Sequence, residues 1–142
     1  MNNSFVCLDA NLVVSMLLDE TDDSANRLWE RWESEYRQPV APVLLRYEVI
    51  NAIHRYYRAK LLDLPAVQAA ATALIALPIQ WSSEMALHQR ALILARRFAL
   101  PAAYDAHYLA LAEYLDVEFW TADQRLANSV RPALSWVHLL GE

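Results

Sequence analysis

The stretch FWTADQRL, residues Phe119 to Leu126, decides how the chain folds. Together with the residues around it, it reads as a buried strand, VEFW, then a short polar turn carrying Thr121 and Asp123, then a short helix, DQRLANSV. A side-chain oxygen on Asp123 would accept orphan N–H groups in the first turn of that helix, so capping alone accounts for it locally. The competing explanation is that Asp123 belongs to a set of acids drawn together from distant segments.

Working outward, the same alternation of short apolar strands and helices runs through the chain. FVCL, Phe5 to Leu8, is a short buried strand, and NLVVSMLL after Asp9 begins a helix. The acidic DETDD segment is a surface loop. SANRLWERWESEYR sets Leu28, Trp29 and Trp32 against charged residues, which predicts an amphipathic helix capped by Ser24. PVAP is an extended piece held by Pro39 and Pro42. Helices are predicted over Val43–Lys60 and Leu64–Leu77, followed by a strand at IQW and a helix capped by Ser83 that runs to about Phe98. Pro101 ends that unit. YDAHYLALAEYL forms a strongly apolar helix, Tyr104 to Leu115, and SWVHLL a final strand. This pattern predicts an α/β fold with a short parallel sheet covered by helices on both faces. Sites in such sheets form beyond the carboxyl ends of the strands.

Composition narrows the chemistry. With 142 residues, 56% of them hydrophobic, the chain supports one well-buried core, and a single domain over residues 1–142 is expected. No stretch approaches the ~20 apolar residues of a membrane span, and Asp9 interrupts the apolar N-terminus, which implies a soluble cytoplasmic protein. Cys7 is the only cysteine, so neither a disulfide framework nor a cysteine zinc site is available. Gly141 is the only glycine, which excludes phosphate loops and nucleophile elbows built on glycine. Phosphate chemistry here must rest on side chains and metals. The net charge of −5 is unevenly spread: Arg37, Arg46, Arg55, Arg58 and Lys60 face a single acid, Glu48, in that part of the chain. A solvated helix face and a weak nucleic-acid-binding track explain those cations equally well.

Four acids stand out. Asp9 and Asp123 fall at the carboxyl ends of strands, on one edge of the sheet. Glu48 lies on or beside an apolar helix face with Leu44, Val49, Ala52 and Ile53 as neighbours. Asp105 opens a helix that is apolar nearly all round. Singly, each is explained by capping or by the helix N-terminus, apart from Glu48, whose buried charge costs several kcal/mol, roughly, unless it is protonated or paired. Converging on one pocket, they would repel severely and require cations. Oxygen-only ligation selects Mg²⁺ or Mn²⁺, and a pair of such ions suits in-line hydrolysis of a phosphodiester.

In order and spacing, CLDANLVVSMLL, LLRYEVINAI, PAAYDAHYLALAEYL and FWTADQRL resemble the PIN-domain ribonucleases, and within them the VapC toxins of bacterial toxin–antitoxin pairs. The resemblance spans nearly the whole chain. It implies a PIN-like α/β domain that cleaves RNA with Mg²⁺ or Mn²⁺, with Asp9, Glu48, Asp105 and Asp123 as metal-holding catalytic acids. Asn11 and Thr121 match the polar positions beside the first and last acids, with a hydrogen-bonding role. Asn51, one turn from Glu48, matches a supporting or packing position. The resemblance also implies a homodimer, a VapB-like antitoxin that covers the active site, and cellular RNA as substrate.

Other features have plainer explanations. The acids of the DETDD loop, with Asp116 and Glu118, are expected as surface charges, and Glu113 as lying away from Asp105. The four histidines lack zinc spacing, and only His107 sits near a candidate acid. The tryptophans are assigned to core and dimer packing. Phosphatases that form an aspartyl-phosphate need a second acid where Asn11 stands, and receiver domains need a lysine near a later strand end. The non-enzymatic alternative is a PIN-like module that binds RNA or protein without cutting.

Overall fold

The computed structural model describes residues 1–142, and its centre is β1, Phe5–Leu8. In chain order the remaining elements are α1 (Ala10–Leu18), α2 (Ser24–Ser34), β2 (Gln38–Pro42), α3 (Leu44–Arg58) and α4 (Leu64–Ala76). They continue with β3 (Gln80–Ser82), α5 (Ala86–Arg97), α6 (Tyr104–Leu115), β4 (Phe119–Thr121), α7 (Gln124–Val130) and β5 (Val137–Leu139). The strands form one five-stranded sheet, β3-β2-β1-β4-β5, and every neighbouring pair is parallel. The order reverses between β1 and β4, and in such a sheet a crevice opens beyond the strand ends at that point. Both Asp9 and Asp123 follow these two strands.

Side chains of β4 show how the sheet is covered. Phe119 stacks on Tyr108 of α6, with ring centroids 6.1 Å apart, whereas Trp120, on the opposite face, meets Trp32 of α2 edge-on. Cys7 points its thiol at the Tyr108 carbonyl, so α6 lies over the centre of one face. Val6, Cys7 and Leu8 are fully buried, as a strand covered on both faces requires. Trp29, Trp32 and Trp120 join the core, and Trp81 and Trp136 pack against it.

The segment expected as a mere extended piece is a full sheet member, β2, despite its two prolines. Gln38 donates its N–H to Ser4 on the β1 side, and Val43 donates to Ser82 on the β3 side, so even positions face β1 and odd positions face β3. The absent N–H of Pro39 therefore points at β3 before pairing begins at Val40, and that of Pro42 at β1 after pairing ends at Val40. Neither proline removes a bond the sheet would make.

Three local expectations are corrected. Ser24 does not cap α2; it is the first helical residue, and its N–H and hydroxyl both donate to Asp22, at 2.9 and 2.5 Å. Ser83 does not cap α5, which starts at Ala86 without a side-chain cap. Glu118 is no ordinary surface charge, because Arg37 donates to it at 2.8 Å from a nearly buried position. Burial alone would raise the Glu118 carboxyl, but the Arg37 hydrogen bond and charge outweigh it and hold the group below the usual carboxylate range. Arg37 is thus committed to this pair and leaves the basic stretch.

With one glycine in the chain, four helix ends enter the left-handed region on other residues: Tyr36, Lys60, Ala99 and Asp116, with φ between 51° and 62°. Each is followed by a backbone N–H that reaches back to the last turn, as Leu100 does to Ala95 at 2.9 Å. Ala99 is exposed. Relieving its Cβ strain, ~1–2 kcal/mol, exceeds the entropy that glycine adds to the unfolded chain, ~0.4–1 kcal/mol. Ala99→Gly should therefore raise the melting temperature by about 2 °C, measurable by calorimetry.

Candidate active site

Asp9 follows β1 directly and is the N-cap of α1, its Oδ1 accepting the Leu12 N–H at 3.1 Å. It is 3% exposed. Its second oxygen, Oδ2, accepts a short hydrogen bond from the hydroxyl of Thr121, the fully buried last residue of β4. Thr121 in turn accepts the Asp123 N–H at 2.9 Å. One threonine thus ties the ends of the two central strands to each other and to the turn that carries Asp123.

Asp123 does cap α7, its Oδ1 accepting from Arg125 and Leu126 at 3.0 and 3.2 Å. Both bonds fall on the same oxygen, which leaves Oδ2 unengaged. Asp105 lies in the first turn of α6, half-buried, and no protein donor bonds its carboxylate. Glu48, on α3, accepts the Tyr108 hydroxyl on Oε1 at 2.5 Å. A pocket of about 130 Å³ is lined by Asp105 and Asp123 together with Arg125, Pro101 and Ser129.

The acids sense one another. Burial pushes the Asp9 carboxyl up to about 7, with the charges of Asp105 and Asp123 adding to it, although Thr121 and Leu12 pull the other way. Asp105 is pushed up to about 6 by burial first, then by Asp123 and Glu48. Burial, and then Asp9, also hold the Cys7 thiol far above its normal range, so Cys7 is an inert core residue. Four carboxylates from four separate elements are therefore coupled at one end of the sheet. As the side chains stand, no three of them are drawn close enough to enclose an ion. The donor set fits a hard divalent cation by its chemistry: oxygen atoms only, mutually repelling, with Asp105 raised by every neighbour that acts on it.

The other expected residues separate. Thr121 is at the centre of the site. Asn11 is exposed in the first turn of α1 and bonds none of the acids. Asn51 is exposed on α3, lining a surface hollow with Arg46, Tyr47, Ile50 and His54 and not the acid pocket. The cations do not form one track. The Arg46 guanidinium lies over Trp81, 5.0 Å from its ring centre, and Arg58 and Lys60 border a different hollow beside Leu61. Only Arg55, seven residues after Glu48, shares its side of the helix. His107 is turned to α5, its ring nitrogens engaged with the Ala103 carbonyl at 2.8 Å and with His88 at 3.0 Å. Glu113 pairs with Arg90 away from the site. Two residues were not anticipated. Arg125 lines the acid pocket, and Tyr108 holds Glu48; its position three residues after Asp105 on the same helix face was the available signal.

Fold and site together define an α/β domain with an acid cluster at the topological switch of a parallel sheet. The chain belongs to the PIN domain family, whose model matches residues 6–130. No curated protein sequence matches it significantly. Among solved structures it is similar to a chain of a toxin–antitoxin complex from Klebsiella pneumoniae, at 19% identity and TM-score 0.66, over 93% of this chain and 94% of that one. It is also similar to PAE2754 from Pyrobaculum aerophilum, at 18% identity and TM-score 0.68, over 96% and 85%. VapC20 of Mycobacterium tuberculosis, a sarcin–ricin loop cleaving toxin, matches at 14% identity and TM-score 0.66, over 88% and 95%. At these identities the likeness is one of fold. No helix of the chain is long and apolar enough to cross a membrane.

Proposed function

We propose that the protein is an endoribonuclease dependent on Mg²⁺ or Mn²⁺, the toxin of a VapBC-type pair, restrained by a VapB-like antitoxin and working as a cytoplasmic homodimer. The observation that carries this is the coupling of Asp9, Glu48, Asp105 and Asp123 at one sheet end in a PIN-family chain. Two of the similar structures are a toxin–antitoxin complex and a sarcin–ricin loop cleaving toxin, which supports the same biological setting. These four acids would hold the cation. When bound, the ion supplies a nucleophile from water at neutral pH and offsets charge on the phosphodiester. The chain itself fixes the acids: Thr121 anchors Asp9, the α7 cap orients Asp123 with Oδ2 outward, and Tyr108 engages Glu48. Arg125, exposed, is the one cation lining the acid pocket and would meet a substrate phosphate there.

The binding-module alternative has one observation in its favour, the lack of any three carboxylates already closed around a point. Purified protein incubated with structured RNAs separates the two. Products formed with Mg²⁺ or Mn²⁺ and lost in EDTA support the nuclease. An inert protein that binds no Mn²⁺ supports the module. For the toxin assignment, induced expression should arrest growth and a short adjacent gene should relieve it; harmless expression alone would count against it.

A further inference from the structure

Tyr108 is 1% exposed, stacked on Phe119 with planes 19° apart, and its hydroxyl is the only side-chain hydrogen-bond partner of Glu48. Helix α3, which carries Glu48, packs mainly on α1, α4 and β2. Its one side-chain hydrogen bond to α6, the helix of Asp105, is this phenol–carboxylate bond.

We infer that Tyr108 is a positioning residue for the metal site: its hydroxyl holds Oε1 of Glu48, fixes that carboxylate relative to Asp105, and leaves Oε2 as the oxygen offered to a cation. The inference rests on the divalent-ion reading above and assigns this chain an outer-shell residue for it. Bonds to ligand carboxylates of this kind set ligand orientation, and losing one typically costs about 10–100-fold in metal affinity. A phenol suits the position because its ring is locked in the core while its oxygen reaches the site.

The test is Mn²⁺ binding by the full chain, followed by calorimetry and by the spin resonance of free Mn²⁺, for wild type, Tyr108→Phe, Glu48→Gln and the double variant. Phenylalanine keeps the ring and its stack on Phe119, and circular dichroism with a melt in EDTA verifies the fold. Tyr108→Phe is expected to weaken Mn²⁺ binding by about tenfold or more, and to weaken it no further when Glu48 is already Gln. A residue that only filled the core would lower the melt and leave Mn²⁺ affinity unchanged. Wild-type affinity in Tyr108→Phe, or an equal loss in the Glu48→Gln background, overturns the inference while leaving the nuclease reading intact. Wild type that binds no Mn²⁺ overturns both. Wild type that binds Mn²⁺ and cuts no RNA removes only the nuclease reading, and the affinities still decide the role of Tyr108.

Discussion

Asp9→Asn is expected to abolish ion-dependent RNA cleavage, by more than about a hundredfold, and at the same time to stabilise the ion-free protein at neutral pH. The first effect follows because a carboxylate among the proposed ligands is lost, which outweighs the 10–100-fold typical of an outer-shell partner. The second follows from the local geometry. Asp9 is buried with its charge raised in energy by Asp105 and Asp123. Asparagine keeps the shape, its oxygen accepting the Leu12 N–H and its amide donating to the Thr121 hydroxyl oxygen. The uncompensated charge disappears, which outweighs the loss of Asp9 as acceptor for the Thr121 hydroxyl proton. Cleavage assays with Mn²⁺ and urea titrations in EDTA, run on the same preparation, measure the two signs together. A variant that is inactive because it is unfolded gives a loss in both.

Ion-free wild type should lose stability as the pH rises from about 4 to about 7. Asp9 has a folded-state pKa of about 7 against a reference of 3.8, so the folded chain holds a proton that the unfolded chain has released. Its contribution is fully present below the unfolded value and is lost as pH climbs through the folded one. The interval corresponds to roughly 4 kcal/mol at most. Asp105, raised to about 6 but more open to solvent, acts in the same direction. Most proteins lose stability on acidification across this range, so the sign itself is diagnostic. Saturating Mn²⁺ should flatten the slope, because the ion favours the charged forms that proton loss creates. Asp9→Asn should flatten it without the ion. Equal midpoints in urea at pH 5 and pH 8, in EDTA, would contradict the coupled-acid picture.

Much of this arrangement was legible from residue order. Strand β1 and helix α6 carry uninterrupted apolar patterns bounded by polar residues, and both fall at Phe5–Leu8 and Tyr104–Leu115 as expected. Asp9 and Asp123 were readable because each stands where a short buried apolar run gives way to a helical pattern, which fixes it at a strand end. What escaped was partly a matter of local caps and partly what depends on a partner far along the chain. Ser24 and Ser83 have the right chemistry for caps, but Asp22 claims the first and α5 begins too late for the second. Glu118 looks like a surface charge until Arg37, 81 residues earlier, is folded against it. The bond from Tyr108 to Glu48 spans 60 residues and two helices whose relative placement no local pattern encodes. Asn51 has the correct spacing from Glu48 for the site, but the helix turns it outward to solvent.

The strand order has a consequence for synthesis. The first strand made becomes the middle of the sheet, and one of its neighbours, β4, is Phe119–Thr121. Until those residues emerge, FVCL has an unpaired edge, open to mistaken pairing with other chains. Asp9 must wait 112 residues for Thr121, the donor that anchors it. A growing or truncated chain can therefore carry Asp9 and Glu48 without possessing the acid cluster. The cluster comes into being only once Thr121 and Asp123 have been made and folded back onto β1.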